Sequence, residues 1–141
     1  PAATFHFYQL EADSSGVLAR WGSLYDMFTH SWQNSARIQT NSWGNENLVG
    51  EYSSDSRSAD AFLVDYPRFL VLFSAGDLGS SGNSVTPPGT AKNVLTVGAS
   101  TTGAQGSTPE GSVPGFSSRG TTLDGRPYTM PSLASMRPTR R

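Results

Sequence analysis

The chain contains no cysteine. Disulfides, cysteine–zinc sites and thiol nucleophiles are therefore excluded, and the redox compartment is left open, since a cysteine-free chain suits cytosol and exterior alike. Charge is also sparse. Only 15% of the 141 residues are Asp, Glu, Lys or Arg, and the net charge is −1. With a pI of about 6.1, nucleic acid and anionic membrane surfaces gain no overall electrostatic support as partners. The one basic cluster, Arg137, Arg140 and Arg141, reads as a solvated tail. Long apolar runs are missing: five residues at 69–73 fall far short of the roughly 20 that span a membrane. No secretory leader is visible, and a first residue of proline suggests processing or a fragment.

What is present is a loop-rich globular composition, with 35% hydrophobic residues, 15 glycines and 9 prolines, long enough for one domain or part of one. Residues 4–10, TFHFYQL, are aromatic-rich and read as a strand. Asp13, Ser14 and Ser15 are turn and cap types. Val17, Leu18, Trp21, Leu24, Tyr25, Phe28 and Trp32 then recur three or four apart, which predicts an amphipathic helix running to about Asn34. Residues 36–42 read as a strand, 43–52 as a loop. Ser53, Ser54 and Asp55 offer caps for a helix whose apolar face is Ala59, Phe62, Leu63 and Tyr66, stopped by Pro67. Residues 69–77, FLVLFSAGD, read as a buried parallel strand; 93–98 as a short strand; 101–114 as a surface loop; 115–120 as a turn or short strand. Alternating β and α segments predict an α/β fold, a parallel sheet with flanking helices.

The stretch 69–77 organises the rest. A buried parallel strand delivers its last residues to the sheet edge where ligands bind in open α/β folds, which makes Asp77 the first place to look for chemistry. Gly76, Gly79 and Gly82 follow one another at even spacing. This is not the G-x-G-x-x-G or P-loop pattern, and Pro87 and Pro88 stand where a phosphate-binding helix should begin. A nucleotide-binding domain is accordingly the weaker alternative.

Several stretches in order resemble the subtilisin-like serine proteases. They are ARIQTNSWG at 36–44, LFSAGD at 72–77, PGTAKNVLTVGAS at 88–100, FSSRG at 116–120 and DGR at 124–126. The likeness covers roughly residues 3–126 and is strongest to the oxidatively stable alkaline proteases of bacilli. It implies the central part of a peptidase domain with a partial three-layer fold, and leaves 127–141 as a divergent or truncated tail. It implies that Ser42, Trp43 and Gly44 pair their backbone with an extended peptide or protein substrate. Ser74, Ala75 and Gly76 would line the pocket for the residue before the scissile bond. Asp77 would occupy the oxyanion position, where the family usually has asparagine, and the Pro87–Pro88 bond would be cis. An extracellular location for the parent protein follows from the same likeness.

The triad of that family is not recognisable here. No Gly-Thr-Ser occurs, Asp13, Asp26 and Asp124 do not match the aspartate motif, and His6 and His30 lack a His-Gly-Thr-His context. Both histidines read as structural, one in a strand and one near a helix C-terminus. Read on their own, Trp43 is equally an ordinary loop aromatic, and Gly79 and Gly82 are turn residues. The family often binds calcium through loops, but Glu46, Glu51, Asp55 and Asp124 lack calcium-loop spacing, so no cofactor is assigned. The resulting expectation is a piece of a serine endopeptidase. The alternative is a non-catalytic peptide-binding pseudoprotease. A parallel sheet cut at both ends leaves unpaired edges and apolar faces. The isolated chain should therefore associate or precipitate on purification, and a sharp, cooperative melt of a purified monomer would contradict this.

Overall fold

In the computed structural model of the protein, residues 3–12, 18–19, 22–101, 109 and 111–126 are described. The tail at 127–141 and its arginines lie outside them. The scaffold is a three-stranded parallel sheet, ordered β3–β4–β5, where β3 is Ile38–Asn41, β4 is Leu70–Ser74 and β5 is Leu95–Val97. Ile38 is in register with Leu70, and Leu72 with Leu95. Two helices, α1 (Leu24–Gln33) and α2 (Ser54–Asp65), accompany it. A separate two-residue antiparallel pair joins β1 (Glu11–Ala12) to β2 (Leu18–Ala19).

The expected strand at 4–10 does not form. These residues are irregular, with Phe5 and Phe7 87% and 99% exposed, and among the described residues no strand takes up their backbone groups. His6 is therefore exposed and not in a strand. The first helix is also shorter than its apolar period predicts. Leu18 belongs to β2, and Val17 and Trp21 lie outside the described residues. Local capping outweighs periodicity here. Gly22 takes φ +66°, and Ser23 starts the helix with a reciprocal box: its hydroxyl accepts from Asp26 N–H at 3.2 Å, and the Asp26 carboxylate accepts from Ser23 N–H at 2.9 Å. The Ser23 hydroxyl and then its backbone N–H hold the Asp26 carboxyl below its usual range.

The second helix follows its sequence closely. Ser53 caps it by accepting from Ser56 N–H at 3.2 Å, and Tyr66 closes it before Pro67. A 3₁₀ turn at Glu46–Leu48 interrupts the loop before it. Residues 115–120 are turns, not strand.

Both helices cover the sheet face that carries Phe69, Val71 and Phe73. Phe62 stacks on Tyr66 with centroids 4.5 Å apart, meets Phe69 edge-on at 5.3 Å and lies 5.3 Å from Phe28, which reaches Phe73 at 6.4 Å. Such aromatic pairs add to the area they bury. At the rim of this packing Tyr25 donates to Asp65 at 2.6 Å, joining the two helices. That hydrogen bond, with burial and the Asp65 charge behind it, pushes the Tyr25 phenol up to about 12. Among the described residues no helix covers the opposite face, where Leu70 is 41% exposed. Nor is any helix there long and apolar enough to cross a membrane.

Between β4 and β5 the chain makes no helix. Residues 84–91 are all buried, and α2 helps anchor them. Asp60, 8% exposed, accepts from Lys92 N–H at 2.8 Å, from Asn93 N–H at 2.7 Å and from the Tyr52 hydroxyl at 2.7 Å. One helix turn away Thr90 donates to Glu51 C=O at 2.6 Å, so Ser56 must be the donor in its 2.7 Å contact with Thr90. Asp60→Ala would leave two backbone donors and a phenol without their charged acceptor. It should lower stability by roughly 3 kcal/mol, read as a fall in the urea midpoint; an unchanged midpoint would mean that water replaces the carboxylate.

Candidate functional site

Two of the sequence-selected segments emerge side by side from the C-terminal ends of neighbouring parallel strands. Asn41 is in register with Phe73, so 42–44 and 74–77 leave the sheet together. Ser42 is exposed. Trp43 is half-buried and meets Phe73 edge-on, with centroids 5.2 Å apart and an 88° angle, so its ring serves the core as well as the loop. Ser74 is half-buried, Ala75 is 1% exposed, and Asp77 is exposed.

The structure brings these residues together through partners that the sequence reading passed over. Thr86, 2% exposed, lies between the two segments. A Cβ at Gly44 would overlap the Thr86 hydroxyl, and one at Gly76 would come within 2.9 Å of it and 3.0 Å of the Ser118 hydroxyl. Gly76 also sits at φ +105°, where an L side chain is strained. Both glycines are thus required by internal packing. Gly82, by contrast, has open space around it.

Hydrogen bonds hold the turn carrying Asp77 from below. Thr86 N–H donates to Ala75 C=O at 3.0 Å, and Ala75 N–H donates to Val97 C=O at 2.9 Å. Ser118 N–H donates to Gly76 C=O at 3.0 Å, and its hydroxyl accepts from Leu78 N–H at 3.1 Å. Ser117 does the equivalent for the next strand end, accepting from Ala99 N–H at 3.0 Å. Gly79 N–H donates to Phe116 C=O at 2.7 Å. The FSSRG stretch is therefore a buckle for the Asp77 turn. The Pro87–Pro88 peptide is cis, as the resemblance implied. No helix follows the glycine-rich loop, so the anion site of a nucleotide-binding domain has no helix N-terminus to form on.

His6 lines a cleft that reaches Ser42 and Trp43, and His30 is not among that cleft's lining residues. His30 Nδ1 is 2.7 Å from the Tyr8 hydroxyl, on the last turn of α1. This cleft, of about 500 Å³, opens between the 6–10 segment, α1, β3 and the start of the 42–44 loop, lined mainly by apolar groups including Phe7, Met27, Ile38 and Trp43. Among the described residues no group of three His, Cys, Asp or Glu side chains is placed to hold a metal ion.

The sequence model of the Subtilase family (Peptidase_S8) matches residues 1–134. The chain belongs to the subtilase family. Relatives include the serine protease/ABC transporter B family proteins tagB and tagD of Dictyostelium discoideum. The first is 36% identical over 103 residues, 71% of this chain and 5% of tagB. The second is 41% identical over 70 residues, 48% of this chain and 4% of tagD. The chain thus spans a small part of the length of the curated relatives it matches. Among solved structures, the prenylagaramide maturation protease PagA shares the fold with a TM-score of 0.57 at 23% identity, covering 80% of this chain and 37% of that one. Sphericase matches with a TM-score of 0.51 at 21% identity, covering 70% and 30%. Nearness to the alkaline proteases of bacilli is not confirmed by these relatives.

If the Ser118 hydroxyl anchors the Asp77 turn, Ser118→Ala removes the acceptor of Leu78 N–H. Native-state hydrogen exchange at Leu78 should quicken about tenfold, the order expected when a backbone donor loses its partner. Exchange at the parental rate would show that the turn holds itself.

Proposed function

We propose that this subtilase segment supplies the substrate-binding edge and the oxyanion position of a serine endopeptidase. The observation that carries the reading is the emergence of residues 42–44 and 74–77 side by side at the C-terminal end of β3 and β4, locked there by Thr86 and Ser118. Proteases of this family act on peptides or proteins. An extended substrate would lie along Ser42, Trp43 and Gly44 as an added strand, with backbone hydrogen bonds supplying affinity. Its side chain before the scissile bond would enter beside Ser74, Ala75 and Gly76, and its carbonyl oxygen would face Asp77.

The attacking serine, its histidine and the orienting aspartate belong, on this reading, to other segments of a longer protein. Attack on the carbonyl carbon places negative charge on the carbonyl oxygen, and pre-aligned donors lower that barrier. An ionised Asp77 carboxylate cannot donate and repels that charge. The oxyanion hole is then weaker than one built with asparagine, and protonation of Asp77 would restore a donor. The step calls on no cofactor. Subtilases are often secreted, and an extracellular place of action is part of the proposal. The Dictyostelium names, which join a serine protease to an ABC transporter, mark a second setting for such a segment.

Asp77 also favours a second reading, a peptide-binding module on a protease scaffold that does not hydrolyse. One variant separates the two. In the full-length protein that carries this segment, Asp77→Asn should raise kcat at neutral pH by about 10²-fold, the usual worth of one oxyanion donor. No rise in an active protein removes the weakened-hole proposal. Peptide binding with no hydrolysis in either form supports the module.

A further inference from the structure

One buried residue brackets Asp77 from both sides. Ser118, 0% exposed, donates its N–H to Gly76 C=O at 3.0 Å, and its hydroxyl oxygen accepts from Leu78 N–H at 3.1 Å. Peptide groups are planar, so a residue is aimed by the two planes that meet at its Cα. The Gly76 carbonyl belongs to the plane before Asp77, and the Leu78 N–H to the plane after it. Holding both fixes φ and ψ of Asp77 together, and with them the direction of its Cα–Cβ bond. Asp77 itself is exposed, so packing does little to aim it.

The clamp is anchored on both of its own flanks. Ser117 N–H donates to Pro114 C=O at 3.1 Å, and the Ser117 hydroxyl accepts from Ala99 N–H at 3.0 Å. Arg119 N–H donates to the Ser84 hydroxyl at 2.8 Å, and Arg119 C=O accepts from Ser84 N–H at 2.9 Å. Ser118 is thus tied to the end of β5 and to the buried crossover before it touches the Asp77 turn.

We propose that Ser118 is a positioning residue for the oxyanion position, setting where the Asp77 side chain meets the charge that develops on the substrate. The inference rests on the reading above, in which the substrate carbonyl oxygen faces Asp77. It adds a residue that touches neither substrate nor reacting atoms. A donor has its full effect only when it is aligned before attack, and a small displacement forfeits much of its contribution. Ser118→Ala keeps the tie to Gly76 C=O and removes the tie to Leu78 N–H. The plane after Asp77 is then free to turn. The strand end beneath keeps its own hydrogen bonds, Thr86 N–H to Ala75 C=O and Ala75 N–H to Val97 C=O. The loss should therefore fall on the transition state and spare substrate binding.

The test uses the full-length protein that carries this segment and one peptide substrate. In an Asp77→Asn background, where a donor is present at every pH, Ser118→Ala should lower kcat about tenfold, part of the roughly 100-fold that the donor itself supplies. KM should stay within about twofold. In an Asp77→Ala background nothing remains to be aimed, and the same change should add less than about a twofold loss. Ser118→Thr retains the hydroxyl and should hold kcat near the Asp77→Asn value. Ser118→Cys, a weak acceptor of similar size, serves if the alanine variant fails to fold. An equal fall in kcat in the Asn and Ala backgrounds marks a merely structural role and overturns the inference. So does an unchanged kcat in the folded Ala or Cys variant. Absence of cleavage by the folded Asp77→Asn protein defeats the endopeptidase reading itself, and the positioning role falls with it.

Discussion

Eight consecutive residues, 84–91, are buried without belonging to a helix or a strand. That is the constraint on which the rest of the structure depends. Backbone N–H and C=O groups withdrawn from water must find partners one by one when no regular ladder supplies them. Here the partners come from distant segments. Arg119 C=O accepts from Ser84 N–H, Val85 C=O accepts from Gly50 N–H, and Pro87 C=O accepts from Asn45 N–H. Gly89 C=O takes the Thr96 hydroxyl, while the Asp60 carboxylate and the Ser56–Thr90 pair fasten the exit. Two prolines within the stretch reduce the number of donors that need acceptors. Nearly every loop that matters to the site is thereby tied to one crossover.

This arrangement explains why the site is built mainly of small residues. Ser42, Gly44, Ser74, Ala75 and Gly76 bring little side-chain volume of their own, and the space they leave is filled from underneath by Thr86 and Ser118. The support of the edge is buried, while Ser42 and Asp77 stay exposed. Rigid support beneath exposed polar groups is what a binding or catalytic edge needs, since a misplaced group loses most of its effect.

Much of the scaffold was legible from residue order. The α2 helix shows both its cap at Ser53 and its stop at Pro67, and the apolar run at 69–73 can hardly be anything but an inner strand. The family likeness located 42–44 and 74–77 and led to the cis bond at Pro87. Other features were hidden for identifiable reasons. The stripe from Val17 looked helical, yet the Gly22–Ser23 start signal lay inside it and won. Residues 4–10 have strand composition, but a strand needs a neighbour, and composition does not show that none stands beside them among the described residues. Thr86 and Asp60 carry no local signature, and the FSSRG stretch that holds Ser118 shows the likeness but not the contact it makes. Their importance comes from where the chain returns, and a buried threonine or serine looks in sequence like any loop residue.

The buckle at Ser118 has a kinetic consequence. The hydroxyl that holds Leu78 lies 40 residues further along the chain, and Gly76 and Gly79 are likewise tied to Ser118 and Phe116. The helix-to-helix bond from Tyr25 to Asp65 spans as many residues, so position along the chain, not loop length, sets the order in which these ties can form. The sheet β3–β4–β5 and its two helices lie within residues 24–97, whereas the edge above them takes shape only once residues 116–119 arrive. A chain emerging from the ribosome would thus own its sheet and helices before the proposed binding edge, which stays unformed while the protein's own unfolded segments are still within reach.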